Sequence, residues 1–214
     1  MMFQSLREIT PFNRLDDSEL ESLAAHATLR KFRKNALIIQ QGDDSHSLYI
    51  LKQGEMRVFI EDEQGRELTL KILRPGDSFG ELALLGDFPR SASVVTLCDC
   101  EAWVIGKPGF MQCLRENPEL SFALIRSLAN MVRETTGELG LIALSDVYGR
   151  LAHVLEKYAD DQGHLPRFTH RELASMVGSS REMVSKIMKE LSKGGYLVAD
   201  NRQYRLLKKL PSGW

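Results

Sequence analysis

The stretch from Phe79 to Val94 gathers the side chains best suited to hold a small phosphate ester: Gly80, Glu81, the apolar run from Leu82 to Leu85, then Arg90 and Ser91. A guanidinium offers fixed, paired N–H donors and stays charged, which suits Arg90 to a phosphate anion. Glu81 can accept from a sugar hydroxyl. Gly80 leaves room for a ligand at the amides of a short helix that begins at Glu81 and carries Leu82 in its first turn. The start of that helix adds partial positive charge. Ser91 contributes a hydroxyl and an amide. Together they fit a cyclic phosphodiester, one negative charge beside a ribose hydroxyl, in a partly buried slot. Spacing alone leaves a second reading open, in which Glu81 and Arg90 merely pair on a surface.

A second set lies in residues 169–191. Thr169-His170-Arg171-Glu172 and Ser179-Ser180-Arg181-Glu182 both read as capping boxes, so two helices are expected to start ten residues apart, with Gly178 at the turn between them. This is the pattern of a helix-turn-helix. Arg181, Glu182 and Lys186 fall at positions one, two and six of the second helix and share a face. Arginine can grip guanine O6 and N7, and glutamate can accept from cytosine N4. Glu182 has an equal claim as a capping residue. Thr169, Ser180, Lys189, Lys193 and Arg202 suit phosphate contacts, which position a protein on double-stranded DNA without reading sequence.

The elements that must position these groups follow from periodicity. Short alternating runs at 37–39, 47–51, 56–60, 68–73, 92–95 and 102–104 are separated by Gly42-Asp43-Asp44, Lys52-Gln53-Gly54, Glu63-Gln64-Gly65 and Pro75-Gly76-Asp77. Many short strands with turn signals predict a β-barrel or jelly roll. From Glu119 the period lengthens: Leu120, Leu124, Leu128, Met131, Thr135 and Ile142 form one row, and Ile125, Val132 and Leu139 a second. One row is expected to pack on the barrel and the other to form a dimer seam, the alternative being a helix buried within one chain. Gly137 and Gly140 each weaken that helix by roughly 1 kcal/mol relative to alanine, and Ser145-Asp146 can cap a new helix at Val147; the hinge is placed there. A hairpin closing near Asp200-Asn201 would be a wing. The expected class is α+β, with a jelly roll over 1–117, a dimerisation helix over 118–144 and a winged helix-turn-helix over 145–214.

Charge separates the two ends. The net formal charge is −1, yet residues 164–214 carry ten Lys/Arg against four Asp/Glu, leaving the excess of acid in residues 1–163. The basic end is the one suited to nucleic acid. No window approaches the roughly 18 apolar residues of a membrane span, so no membrane association is expected and the default location is cytoplasmic. Three cysteines, Cys98, Cys100 and Cys113, are expected as reduced structural thiols. They are too few for an iron–sulfur site. A metal-dependent jelly-roll oxygenase would need two inward histidines and a carboxylate, and residues 36–105 hold one histidine, His46. No catalytic residue, metal or resident cofactor is therefore expected.

Gly80-Glu81-Leu82-Ala83-Leu84-Leu85, followed by Pro89-Arg90-Ser91-Ala92-Ser93-Val94, resembles the phosphate-binding cassette of cyclic-nucleotide-binding domains. With Ser180-Arg181-Glu182-Met183-Val184 and the long intervening helix, nearly the whole chain is similar in its order of elements to the CRP/FNR family of transcription regulators. The resemblance implies a homodimer that binds a cyclic nucleotide as allosteric ligand, recognises an inverted repeat with half-sites of the TGTGA kind, and works with RNA polymerase. It places Thr135 and Thr136 where the adenine edge is read from the dimer helix, which favours cyclic AMP; the alternative is that both are small seam residues. The chain departs from the family's activator pattern twice. The cassette is one residue shorter between Glu81 and Arg90, closer to the kinase-regulatory version, which leaves the exact ligand open, another nucleotide such as cyclic di-GMP being the alternative; and the 160–166 loop is short, which removes the ground for carrying over a polymerase-contacting loop. A DNA-binding dimer that ignores ligand is the remaining reading.

Overall fold

A computed structural model of the chain describes residues 16–200 and 203–211. The element order is α1 (Asp17–Ala25), β1 (Ala27–Phe32), β2 (Leu37–Ile39), β3 (Ser47–Gln53), β4 (Met56–Glu61), β5 (Glu67–Leu73), β6 (Ser78–Phe79), α2 (Glu81–Gly86), β7 (Ser93–Thr96), β8 (Cys100–Gly106), α3 (Lys107–Glu116), α4 (Pro118–Leu144), α5 (Val147–Tyr158), α6 (His170–Val177), α7 (Arg181–Lys193), β9 (Leu197–Asp200) and β10 (Gln203–Leu206). The chain divides into two compact units. The first takes the described residues up to Glu61 with Leu70–Arg133; the second takes Asp62–Thr69 with the residues from Glu134 onward.

In the first unit the strands form two four-stranded sheets, in the order β1-β8-β3-β6 and β2-β7-β4-β5. This is the expected jelly roll, with two strands beyond the expectation. β1, absent from the expected runs, mixes apolar Ala27, Leu29 and Phe32 with polar Thr28, Arg30 and Lys31; it pairs along its whole length with β8, from Ala27 opposite Ile105 to Phe32 opposite Cys100. β6 is only two residues long. Between the sheets lie Ile39, Leu51, Met56, Leu73, Phe79, Val94 and Ala102. On the other face of β3 and β8, Leu48, Ile50, Trp103 and Ile105 meet Leu20, Leu23, Phe110, Leu120 and Leu124 from the flanking helices. Each such side chain, fully buried, contributes about 1.5–3 kcal/mol against exposure, enough to seat α4 on the barrel at its N-terminal end.

Helix α4 runs unbroken for 27 residues through Gly137 and Gly140. Leu120 and Leu124 are buried, whereas Ile125, Val132 and Leu139 stay 59%, 65% and 64% exposed. The two rows thus separate as expected over the first turns. Past Leu128 the first row is exposed as well. The helix ends before Asp146, whose carboxylate accepts from the Gly149 amide at 2.8 Å and caps α5.

The second unit packs Tyr148, Leu151 and Leu155 of α5 against Leu173, Ala174 and Val177 of α6 and Val184, Met188 and Leu191 of α7. β9 and β10 form an antiparallel hairpin with Asp200 opposite Gln203. The tip residues 201–202, and with them the expected turn and Arg202, lie outside the described residues. No described helix is long and apolar enough to cross a membrane. All three cysteines are free; Cys100 and Cys113 are buried, while Cys98 is exposed.

Candidate ligand and nucleic-acid sites

Arg90 is 3% exposed. Its guanidinium is aimed inward by three hydrogen bonds: Nε to Ser45 Oγ at 2.9 Å, Nη1 to the Gly80 carbonyl at 2.8 Å and Nη2 to the Ser47 carbonyl at 2.9 Å. The backbone of Arg90 is fixed too, its amide donating to Asp43 and its carbonyl accepting from Gly42. These bonds use three of five N–H groups, which leaves two for a further acceptor. Burial draws the guanidinium pKa down, opposed by Tyr49, Glu81 and Asp43. An arginine nonetheless keeps its charge.

Gly80 adopts φ +88°, the left-handed region, and caps α2 without any side-chain hydrogen bond, so no side chain of its own covers the helix start. A Cβ there would stand 2.6 Å from Arg90 Nη1 and 2.8 Å from the Ser47 carbonyl. Glu81 follows directly, 7% exposed, with Oε2 buried and without a hydrogen-bond partner. Burial raises its pKa, while its own backbone amide, Lys71 and Arg90 pull the other way. Leu82 is 39% exposed on the outer side of α2, and Ser91 is exposed in the bend after Arg90.

Gly80, Glu81 and Arg90 thus meet around one turn, with a buried cation holding spare donors and a buried carboxylate oxygen lacking one; Ser91 is beside Arg90 in the chain, with its side chain exposed. Ser45, Ser47 and Asp43 complete this arrangement and were not singled out from sequence; the Gly42-Asp43-Asp44 turn was the only signal near them. Thr135 and Thr136 are exposed on α4, in the part belonging to the second unit. Among the described residues no cluster of His, Cys, Asp or Glu could hold a metal ion.

In the second unit Thr169 forms the expected capping box: its hydroxyl accepts from the Glu172 amide at 3.2 Å, and Glu172 Oε2 accepts from the Thr169 amide at 2.6 Å. The second box fails. Ser180, not Ser179, caps α7, accepting from the Met183 amide at 3.2 Å. That shift puts an apolar Met183 where the reciprocal carboxylate would stand, so Glu182 has no capping role, and the two helices start eleven residues apart. Gly178 makes the turn at φ +61°. Ser180, Arg181, Glu182, Lys186, Lys189 and Lys193 are all exposed, opposite the buried Val184, Met188 and Leu191. Lys193 is engaged with Glu190 at 2.8 Å.

Two family models match the chain: a cyclic nucleotide-binding domain over residues 29–117 and a Crp-like helix-turn-helix domain over residues 149–209. Among curated relatives, the cAMP-activated global transcriptional regulator Vfr of Pseudomonas aeruginosa is 32% identical over 187 residues, covering 82% of this chain and 87% of the relative. The cyclic AMP receptor protein of Thermus thermophilus is 31% identical over 208 residues, covering 94% and 96%. Among solved structures, the c-di-GMP responsive global regulator CLP of Xanthomonas campestris superposes with a TM-score of 0.81 at 26% identity, covering 90% of this chain and all of that one.

Proposed function

This chain belongs to the CRP/FNR family of transcription regulators, with a cyclic nucleotide-binding domain and a helix-turn-helix, and we propose that it is a cyclic AMP-responsive homodimer that binds an inverted repeat in double-stranded DNA. The observation that carries the ligand class is the pairing of Arg90, with two N–H groups to spare, and the unpartnered buried Oε2 of Glu81 across Gly80. A cyclic phosphate supplies the missing acceptor, and a ribose 2′-hydroxyl the missing donor. In this reading Gly80, the α2 amides, Leu82 and Ser91 complete the ligand contacts. In the dimer, Ile125, Val132 and Leu139 cover one another along α4, and Thr135 and Thr136 meet the adenine edge. Both cAMP-named relatives at 31–32% identity support that choice of base.

Ligand drawn between Arg90 and Glu81 changes the packing of α2, and contact with Thr135 and Thr136 carries the change along α4 to Asp146 and the DNA-reading domain. The shift can be no larger than the ligand's differential affinity for the two states. Arg181, Glu182 and Lys186 read bases, and Thr169, Ser180, Lys189, Lys193 and Arg202 hold phosphates. The domain boundaries are those of the three-part reading, 1–117, 118–144 and 145–214; the protein works in the cytoplasm beside RNA polymerase.

A second reading keeps this architecture and substitutes cyclic di-GMP as the ligand, favoured by the structural likeness to a regulator of that kind. Calorimetric titration with cyclic AMP, cyclic GMP and cyclic di-GMP separates them. Micromolar binding of cyclic AMP, lost in Arg90→Lys and Glu81→Gln, supports the first. Binding of cyclic di-GMP with silence for cyclic AMP selects the second, and no binding of any of the three overturns both.

A further inference from the structure

One imidazole ties together three elements of the DNA-reading unit. His170 opens α6, and its Nδ1 lies 2.7 Å from Ser185 Oγ on α7 while its Nε2 lies 2.8 Å from the Tyr204 hydroxyl on β10. The rings of His170 and Tyr204 are near parallel, at 19°, with centroids 6.0 Å apart. Ser185 sits one turn after Arg181 and directly before Lys186, half-buried on α7. Tyr204 pairs with Ala199 across the hairpin. A second set of bonds holds the same hairpin to Leu165: the Leu165 amide donates to the Tyr204 carbonyl at 2.9 Å, and Gln203 Nε2 donates to the Leu165 carbonyl at 2.7 Å. Those bonds anchor the hairpin to the loop before α6; β9 follows α7 through a short turn and Leu197 packs with Val184, Met188 and Leu191, and to these links His170 adds a side-chain tie from Ser185 of α7 to Tyr204 of β10.

We propose that His170 is a positioning residue for DNA recognition, clamping the β9–β10 hairpin to the recognition helix so that the base-reading face and the hairpin meet the duplex as one rigid surface. This rests on the DNA-binding reading given above. A neutral imidazole has one donor and one acceptor nitrogen, and a hydroxyl can play either role. Whichever nitrogen carries the proton, the ring therefore donates to one hydroxyl and accepts from the other, and both bonds are satisfied at once. Burial, and then the Arg181 guanidinium, hold the ring below its ordinary pKa, which favours the neutral form this geometry uses. A bond to each side leaves the ring no rotation that keeps both. The clamp adds to the packing that α7 and the hairpin already share a directional tie between the element carrying Lys186 and strand β10.

The test uses full-length Tyr204→Phe, Ser185→Ala and His170→Phe, with the double variant His170→Phe/Tyr204→Phe. Tyr204→Phe keeps the ring and its stacking and removes a single hydroxyl, so it remains informative should His170→Phe perturb packing. The readouts are hydrogen exchange of the β9–β10 amides in the free protein, and binding to a random-sequence 30-base-pair duplex across a salt series. Expected are wing amides that exchange about fivefold faster in each single variant, as for loss of one hydrogen bond. Binding should weaken with a log–log salt slope shallower by about one, as for one lost phosphate contact on the hairpin. The double variant should show little beyond His170→Phe. A merely structural role would lower the unfolding midpoint but leave the slope unchanged. Variants that match the wild type in both exchange and slope would overturn the clamp. A wild-type protein with no salt-dependent affinity for duplex DNA would overturn the DNA-binding reading itself, and the clamp's purpose with it.

Discussion

The guanidinium of Arg90 reaches back to the carbonyl oxygen of Gly80 at 2.8 Å, and the space that lets it do so is the missing side chain of that glycine. Gly80→Ala would set a methyl group 2.6 Å from Nη1 and force a left-handed φ on an alanine. The expected result is loss of cyclic-nucleotide binding and a destabilisation of roughly 1–3 kcal/mol, as for a strained backbone position. Calorimetry of ligand binding and thermal unfolding would check both.

Glu81→Gln is expected to move stability and affinity in opposite directions. The carboxylate is buried with Oε2 unpartnered, and its pKa is raised above the ordinary 4.5, chiefly by burial. A raised folded-state value means the native protein binds the proton more tightly than the unfolded chain. The contribution to stability is present below pH 4.5 and is lost as pH rises through the raised value. At neutral pH the glutamine variant should be more stable in the absence of ligand by about 1 kcal/mol, or roughly 2–4 °C in midpoint. It should bind nucleotide more weakly. A pH series of unfolding midpoints for both proteins would show the gap opening above pH 4.5 and closing below it.

Along α4, Ile125, Val132 and Leu139 stay more than half exposed at seven-residue spacing. Val132→Asp is expected to weaken self-association at least tenfold, because a charge at the centre of an apolar interface is left unpaired. Light scattering after gel filtration would show a monomer at concentrations where the unaltered protein is a dimer.

On the recognition helix, Arg181→Ala should cost about 1–3 kcal/mol at the cognate site and relax discrimination at one base pair. Lys189→Ala should weaken all duplexes alike and reduce the salt slope by about one. Binding measured on a matched and a mismatched duplex across a salt series distinguishes the two. If both variants behaved alike, the division into base-reading and phosphate-holding residues would be wrong.

Much of this architecture was legible because its signals are local. Thr169 and Glu172 cap α6 as their spacing dictates, and Gly178 takes the left-handed turn that closes it. The interior strands announced themselves by alternation, since their inward residues are apolar. β1 did not, because the consecutive charges Arg30-Lys31 break its alternation and its pairing with β8 spans about 70 residues of chain. Ser180 was mistaken for the residue after the cap, since two adjacent serines satisfy the same pattern and only the hydrogen bond to Met183 chooses between them. The partners of Arg90 were out of reach for a different reason. Two of them are backbone carbonyls, at Gly80 and Ser47, and a carbonyl carries no sequence signature. The His170 clamp joins residues 15 and 34 positions away, so no window of periodicity contains it.

Nucleotide control of DNA binding is tested most directly by fluorescence anisotropy of a labelled duplex carrying inverted TGTGA-type half-sites, titrated with the protein alone and with saturating cyclic AMP. A coupling of 1–3 kcal/mol predicts that the nucleotide shifts the affinity by about 5- to 150-fold, and that Glu81→Gln abolishes the shift. Equal affinity with and without cyclic AMP, in a protein that calorimetry shows to bind it, would contradict the proposed control.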